Sequence, residues 1–185
     1  MECKILIAGT GGQGILLAGK LLALAGLMEQ REVTWFPAYG AEMRSGVAHC
    51  SVIISDQFIG SPITKTFDAL VAMSPQSCAA FLPHVSPGGV VIVDADLVPA
   101  APGRKDITML SIPALRLAAE MGSQRTANIL LAGALAGKTG CASLHALQEA
   151  LASLGAHLNP DLLRLNKTVL DKGYSDYADQ KSAHC

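Results

Sequence analysis

Charged side chains are scarce in this sequence: Lys, Arg, Asp and Glu make up 16% of its 185 residues, against about 25% in a typical soluble domain. They are fewest between residues 46 and 103, where they are Asp56, Lys65, Asp68, Asp94 and Asp96. A domain of this length has much surface for its volume. The scarcity therefore predicts that a partner covers part of the surface, with a monomer of polar, uncharged surface as the alternative.

Several sequence signatures are also missing. No two cysteines form a C-x-x-C pair, so a local zinc or iron–sulfur motif is lacking, and the net charge of −1 gives no footprint for nucleic acid. The start MECK lacks the apolar region of a signal peptide, and the longest apolar stretch, residues 15–28, is interrupted by Lys20 and falls short of the roughly 20 residues of a membrane span. These absences predict a cytoplasmic protein without membrane or nucleic-acid partners. The cysteines are Cys3, Cys50, Cys78, Cys141 and Cys185, predicted to be reduced thiols that are either buried small hydrophobes or idle on the surface.

The sequence does contain a regular alternation of strand-like and helix-like segments. Apolar runs typical of strands occupy residues 3–8, 32–36, 47–55, 67–73, 87–96 and 106–112. Helices are predicted over 14–28, from Ser74-Pro75 to about His84, and in four later segments, the last opening at Asn159-Pro160. This order predicts a three-layer, Rossmann-like α/β domain with a mainly parallel sheet and a helical C-terminal third. We expect one domain over residues 1–174 and a polar tail over 175–185.

The segment GTGGQG joins the first predicted strand to the first helix, the context of a phosphate-binding G-x-G-x-x-G loop. Glycine lets the backbone approach a phosphate, and a helix N-terminus favours negative charge. A dinucleotide site also needs an acid after the second strand to bind the ribose, but that strand ends in TWFP and Glu29 and Glu32 precede it. The loop is predicted to bind a phosphate-bearing ligand other than NAD(P), or only to turn tightly beneath a buried helix. Its candidate residues are Gly9, Thr10, Gly11, Gly12, Gln13 and Gly14.

A second candidate loop lies between the second and third predicted strands. It carries Tyr39, Glu42 and Arg44, together with Gly40 and Gly46. An aromatic ring, an acid and a guanidinium could together grip an anionic ligand, because Arg chelates phosphate or carboxylate. The alternative is an exposed Glu42–Arg44 pair that contributes little. His49 lies inside the third predicted strand without a neighbouring acid or nucleophile, which favours a structural role.

Long segments of the chain resemble the gamma subunit of the 2-oxoacid:ferredoxin oxidoreductases, most closely that of the 2-oxoglutarate enzymes. They are ILIAGTGGQGILLAGKLLALAG, EVTWFPAYGAEMRSG, CSVIISDQFIGSPI, GGVVIVDADLV and ANILLAGALAG, and they extend over nearly the whole chain. The family tends to have two glycines after the arginine of the second segment. Here Ser45 replaces the first of them, which affects the shape of that loop.

The resemblance implies a subunit of an enzyme that converts a 2-oxoacid, coenzyme A and oxidised ferredoxin into acyl-CoA, carbon dioxide and reduced ferredoxin. It implies that thiamine diphosphate, Mg²⁺ and [4Fe–4S] clusters sit on other chains: alpha and beta catalytic subunits and a ferredoxin-like delta subunit. This sequence lacks both a cysteine cluster and a G-D-G motif followed by Asn-Asn. We therefore expect the isolated chain to be inactive, with neither catalytic residues nor a metal of its own.

The resemblance also implies a role for the two candidate loops. In related single-chain enzymes the gamma portion lies near coenzyme A. The segment Gly9–Gly14 and the side chains of Tyr39, Glu42 and Arg44 would then face a coenzyme A phosphate or a subunit interface. A ketoisovalerate or pyruvate enzyme is the alternative within the family. A stand-alone nucleotide-binding domain, either a sensor or a small dehydrogenase, is the alternative outside it.

Overall fold

The structure is a computed structural model that describes residues 1–38, 47–98, 104–156 and 159–178. Within these ranges the strands are β1 (Glu2–Thr10), β2 (Glu32–Ala38), β3 (Val47–Ser55), β4 (Phe67–Ala72), β5 (Val85–Asp94) and β6 (Thr108–Ile112). The α-helices are α1 (Ile15–Met28), α2 (Pro75–Phe81), α3 (Ala114–Glu120), α4 (Ala127–Thr139), α5 (Leu144–Leu154) and α6 (Pro160–Tyr177). In the part of the chain so described, no helix is both long and apolar enough to cross a membrane.

The six strands form one sheet in the order β2-β3-β1-β4-β5-β6. The neighbours β1, β4, β5 and β6 pair in parallel, whereas β3 pairs antiparallel with both β1 and β2. The prediction of an α/β fold with a mainly parallel sheet is confirmed. Because β1, β4 and β5 run the same way, their carboxyl ends share one edge of the sheet, termed the carboxyl edge below.

One face of the sheet, the first face, is covered by helices. Cys3, Ile5 and Ile7 of β1 point into a core that includes residues of α1, α3, α4, α5 and α6. Helix α1 lies over β1, β2 and β3, and α4 lies over β4 and β5. Helix α5 packs on α1, and α6 packs on α4. This face holds most of the buried apolar surface that stabilises the domain.

The opposite face, the second face, has a thinner cover. A smaller core joins Leu6, Leu70 and Val91 of the sheet to Cys78 of α2 and to Leu82 in the 3₁₀ turn after it. Helix α2 begins where predicted: the Ser74 hydroxyl accepts the N–H of Ser77, and Pro75 occupies the first turn. Among the described elements, α2 and this turn are the helical cover of the second face.

Several predicted boundaries differ from the structure, and the ends of β2 and α6 have clear physical reasons. Strand β2 continues through Pro37 to Ala38, because β2 is an edge strand and the N–H that proline lacks is not needed for pairing. Helix α6 extends to Tyr177, so the predicted polar tail begins inside a helix. Tyr174 and Tyr177 both pack against the first-face core, which extends the helix past residue 174.

Candidate functional site: a crevice at the carboxyl edge

A crevice of about 510 Å³ opens at the carboxyl edge of the sheet. The glycine loop after β1, Met73 after β4 and Asp94 at the end of β5 form one side. The start of α4 and the residues before it form the other. Ligands of open α/β sheets bind in such a crevice, outside the carboxyl ends of the strands. The polar residues that line it are Gly12, Gln13, Gly14, Asp94, Gln124, Arg125 and Asn128.

The side chain of Gln13 folds back on its own loop. Its Oε1 accepts the N–H of Thr10 at 2.6 Å, and its Nε2 donates to the carbonyl of Met73 at 2.8 Å. The amide thus ties the end of β1 to the residue that follows β4. Gln13 lines the crevice, as the sequence predicted for a site residue, but these two bonds give it the role of holding the loop in shape.

Three of the loop glycines are required by the chain itself. A Cβ on Gly9 would lie 3.0 Å from Cβ of Met73 and still closer to the Gln13 amide. Gly12 and Gly14 have φ angles of 90° and 75°, a region that residues with a side chain rarely adopt. These glycines would be needed for the tight turn even without a ligand.

Gly11 is different from its neighbours. It is exposed, its φ lies outside the left-handed region, and a Cβ built on it has no heavy atom of the described residues within 4 Å. Neither its backbone conformation nor its packing against the described residues demands glycine here. Open space above an exposed backbone is what a ligand or partner would use for close approach.

Asn128, in the first turn of α4, fixes the loop from the other side of the crevice. Its Nδ2 donates to the carbonyl of Gly14 at 3.1 Å, and a Cβ on Gly14 would lie 2.5 Å from that nitrogen. Asn128 is 3% exposed, and its Oδ1 has no hydrogen-bond partner among the described residues. The sequence analysis missed this residue, although a polar side chain inside the apolar run ANILLAGALAG was an available signal.

The turn directly before α4 supplies the cationic side chain of the crevice. Arg125 is exposed and, together with Gln124, lines the crevice. Helices α1 and α4 both begin without a side-chain cap and without an acid in the first turn. Two helix N-termini and a guanidinium therefore favour negative charge at this edge.

Asp94 is the one acid among the described residues that line the crevice. Its Oδ1 accepts the backbone N–H of Asp96 at 3.1 Å and that of Ala114 at 3.2 Å. Burial is the main cause that raises the pKa of this carboxyl above its ordinary value. The acid therefore connects β5 to the start of α3, at a cost in desolvation.

The acids and the histidine considered in the sequence lie elsewhere. Glu29 accepts the N–H of Ser143 through Oε1 at 2.8 Å, and Glu32 begins β2, at the strand end far from the crevice. His49 faces the second side of the sheet, where its ring lies 4.9 Å from that of Phe81. None of the three lines the crevice.

Tyr39, Glu42 and Arg44 lie outside the described residues, so their predicted contact with an anion stays a prediction. Val47, directly after this segment, pairs with Thr10 at the end of β1. Cys3, Cys50, Cys78 and Cys141 are buried, which is the first of the two alternatives considered for the cysteines, and burial raises the pKa of Cys50 to about 12. Among the residues described, no group of three His, Cys, Asp or Glu side chains could hold a metal ion.

The groups at the crevice are chemically suited to an anion. Arg125 and Asp94 are the ionisable side chains among its described lining residues, and Asp94 is engaged with backbone N–H groups. No nucleophile paired with a base is present in that lining. The exposed backbone of Gly12, two uncapped helix N-termini and a guanidinium match the chemistry of a phosphate group.

Sequence comparisons relate almost the whole chain to known proteins. A profile of the family described as "Pyruvate ferredoxin/flavodoxin oxidoreductase" matches residues 4–175. The 2-oxoglutarate synthase subunit KorC of Methanothermobacter marburgensis is 37% identical over 158 residues, which cover 82% of this chain and 85% of KorC. The ketoisovalerate oxidoreductase subunit VorA of Methanothermobacter thermautotrophicus is 38% identical over 134 residues, which cover 72% of this chain but only 28% of VorA.

Solved structures with the same fold agree with the sequence comparisons. The gamma subunit of a keto/oxoacid ferredoxin oxidoreductase from Geobacter sulfurreducens matches with a TM-score of 0.82 and 29% identity, over 95% of this chain and 98% of its own. The 2-oxoglutarate:ferredoxin oxidoreductase from Magnetococcus marinus, solved with 2-oxoglutarate, coenzyme A and succinyl-CoA bound, matches with a TM-score of 0.84 and 26% identity. That match covers 95% of this chain and 31% of the Magnetococcus chain.

Proposed function

Because the chain belongs to the pyruvate ferredoxin/flavodoxin oxidoreductase family, we propose that it is the gamma subunit of a multi-subunit 2-oxoacid:ferredoxin oxidoreductase. The complex would convert a 2-oxoacid, coenzyme A and oxidised ferredoxin into acyl-CoA, carbon dioxide and reduced ferredoxin, in the cytoplasm. The observation that carries this proposal is the family match over residues 4–175, together with the gamma-subunit fold of the Geobacter protein.

The proposed substrate is 2-oxoglutarate. KorC matches this chain along most of both proteins, so the two are alike in length as well as in sequence. VorA is as similar in identity, but the chain spans only 28% of its length. A ketoisovalerate enzyme is therefore the second candidate.

The proposed ligand of the crevice is a phosphate of coenzyme A. Backbone N–H groups of the glycine loop would hold the phosphate, and Arg125 would pair with its charge. Gly11, directly before the lining residue Gly12, supports this assignment, because none of the described residues requires glycine at that position. Tyr39, Glu42 and Arg44 are assigned to the same ligand or to the adjoining subunit, since Val47 after them pairs with Thr10.

The redox chemistry is assigned to other subunits. Thiamine diphosphate with Mg²⁺ would supply the carbanion chemistry and [4Fe–4S] clusters the electron path, on alpha, beta and ferredoxin-like delta subunits. The described lining of the crevice contains no thiolate or carboxylate cluster that would replace them. The gamma chain would contribute binding and assembly.

The substrate assignment is tested by assembling this chain with its alpha, beta and delta partners and measuring viologen or ferredoxin reduction. We expect the highest kcat/KM with 2-oxoglutarate, lower values with 3-methyl-2-oxobutanoate and pyruvate, and no turnover by the isolated chain. A preference for 3-methyl-2-oxobutanoate would select the ketoisovalerate alternative. Stoichiometric, micromolar binding of NAD(H) or NADP(H) to the free chain would instead indicate a stand-alone nucleotide-binding domain.

The coenzyme A site is tested with Gly11→Val and Arg125→Ala in the same complex. Each should raise the apparent KM for coenzyme A about tenfold, equivalent to about 1.4 kcal/mol, and leave the KM for the 2-oxoacid unchanged. The matched control is Arg116→Ala, an exposed arginine on α3 that does not line the crevice. An unchanged coenzyme A KM in both test variants would mean that the loop only turns, or that it faces a subunit.

A further inference from the structure

We propose that a catalytic subunit of the complex docks on the second face of the sheet at its β2–β3 side, through an apolar segment that carries a carboxylate opposite Lys65. This inference rests on the proposed function and names the surface by which the chain assembles. The surface contains a groove of about 830 Å³, here called the second-face groove. Its floor includes Leu6, Ser51 and Phe67, and its walls include Phe36, Ile63 and Phe81.

The groove exists because the two faces of the sheet are covered unequally. On the first face, α1 lies over β1, β2 and β3. On the second face, α2 packs on β1 and β4. The second-face side chains of β2 and β3, such as Phe36 and Ser51, therefore line an open groove.

Two exposed large apolar side chains, Phe36 and Ile63, line this groove, and Phe58 is a third exposed one, close to Ile63 along the chain. Phe58 is 85% exposed and Ile63 is 71% exposed, the two highest values among the large apolar side chains described. Phe36, on the edge strand, is 49% exposed. Phe58 and Ile63 belong to one connection, between β3 and β4. Apolar groups concentrated in this way mark an interaction site more than scattered ones do.

The connection that carries Ile63 is held in shape by its own hydrogen bonds. The Ser61 hydroxyl accepts the N–H of Ile63 at 3.1 Å and lies 3.2 Å from its carbonyl. The Thr64 hydroxyl donates to the carbonyl of Thr66 at 2.8 Å, and Nδ1 of His84 lies 3.3 Å from the carbonyl of Lys65. A surface ordered before binding loses less conformational entropy when a partner arrives.

Charge gives the chemistry of the partner segment. Lys65 lines the groove, is exposed, and forms no ion pair with any residue that the structure describes. No acidic side chain occurs in the described lining of the groove. A partner segment with apolar side chains and one carboxylate would match both features.

The lengths of the relatives favour the rest of the enzyme as the occupant. The matched region is 28% of VorA and 31% of the Magnetococcus chain, so in those proteins this domain is covalently joined to a longer polypeptide. The remainder of such an enzyme is therefore the proposed occupant of the second-face groove. An ordered, apolar and charge-poor groove provides a surface for it.

The test uses the full chain co-expressed with its alpha, beta and delta partners, one of which is tagged. We expect Ile63→Asp and Lys65→Glu each to weaken association at least tenfold, with Lys65→Arg assembling like the wild type. The urea midpoint of each isolated variant should not change, because the Ser61 bonds use only the backbone of Ile63. Leu162→Asp is the matched control, since Leu162 is an exposed apolar residue, 40% exposed, on α6.

The outcomes separate this inference from the proposed function. If the wild-type chain does not associate with the partner subunits, the proposed function fails and the docking inference fails with it. If the wild type and Ile63→Asp both associate with equal affinity, the docking inference alone is overturned. It is also overturned if Ile63→Asp disrupts only a homodimer of the isolated chain and leaves assembly with the partners intact.

Discussion

Glycines recur in two regions of the molecule, the contact between α4 and α6 and the loop from Gly9 to Gly14. In the helix contact, a Cβ on Gly133 would lie 2.6 Å from the carbonyl oxygen of Leu170, and one on Gly173 would meet the carbonyl oxygen of Leu130. In the loop, a Cβ on Gly11 has no atom of the described residues within 4 Å. The helix glycines are explained by the fold, whereas none of the described residues requires glycine at position 11, where we propose that a ligand approaches.

The comparison separates two kinds of requirement within one domain. Close approach of α4 and α6 completes the core over the first face of the sheet, so substitutions there should change stability. The carboxyl edge holds groups that the fold does not need or that destabilise it, such as Gly11 and the buried Asp94. Substitutions of Gly11 should therefore change binding more than stability, whereas Gly9, Gly12 and Gly14 of the same loop are required by the turn.

Gly173→Ala should give the largest loss of stability. The added Cβ would meet backbone of α4, which cannot move as a side-chain tip can, and overpacking of this kind costs about 3 kcal/mol. Better helix propensity returns about 1 kcal/mol, so we expect a net loss of about 2 kcal/mol in the free energy of unfolding, measured by urea denaturation.

Gly60→Ala is the control for that measurement. Gly60 has no atom of the described residues within 4 Å of its Cβ position and no left-handed φ. The free energy of unfolding of Gly60→Ala should therefore stay within about 0.5 kcal/mol of the wild type. Equal midpoints for Gly173→Ala and Gly60→Ala would show that the two helices can separate without cost. The conclusion that packing requires the helix glycines but does not require Gly11 would then be wrong.

The sequence was sufficient to predict most elements of the fold. Strands such as β3 and β5 are apolar runs with few other interpretations, and Ser74-Pro75 marks the start of α2. The antiparallel pairing of β2 and β3 was not predicted. Only residues 39–46 separate these strands, and a parallel crossover needs a dozen residues or more. The length of this connection was therefore an available signal for antiparallel pairing.

The candidate site could be predicted only in part. The glycine loop was found because its residues are contiguous and carry a motif. Asn128 was missed because it is 114 positions from Gly14 along the chain, and one sequence shows no contact at that separation. Asp94 lies two residues before the end of a predicted strand, so the rule that ligands bind at the carboxyl ends of parallel strands could have placed it at the site.

Gly9→Ala compared with Gly11→Ala tests the distinction inside the loop itself. The Gly9 Cβ would meet both Met73 and the Gln13 amide, and we expect a loss of about 1–2 kcal/mol in stability. Displacement of Gln13 should also speed hydrogen exchange at the Thr10 N–H, which Gln13 accepts. Gly11→Ala should leave the stability within about 0.5 kcal/mol and the exchange rate unchanged. Equal losses in the two variants would place Gly11 among the glycines that the fold requires.

Asp94→Asn should have the smallest effect, and its sign is the informative part. Burial raises the pKa of Asp94, so the folded chain binds this proton more tightly than the unfolded chain, whose Asp pKa is about 3.9. Stability from this group is therefore fully present below about pH 3.9 and is lost as the pH rises through the raised folded pKa.

Asparagine keeps an acceptor for the N–H groups of Asp96 and Ala114 and does not ionise. Urea unfolding between pH 4 and 7.5 should show the variant gaining on the wild type as the pH rises, by less than either glycine effect. If instead the free energy of unfolding of the wild type rises above that of Asp94→Asn as the pH increases, the charged carboxylate stabilises the carboxyl edge. This edge would then contribute to stability as the helix-covered face does.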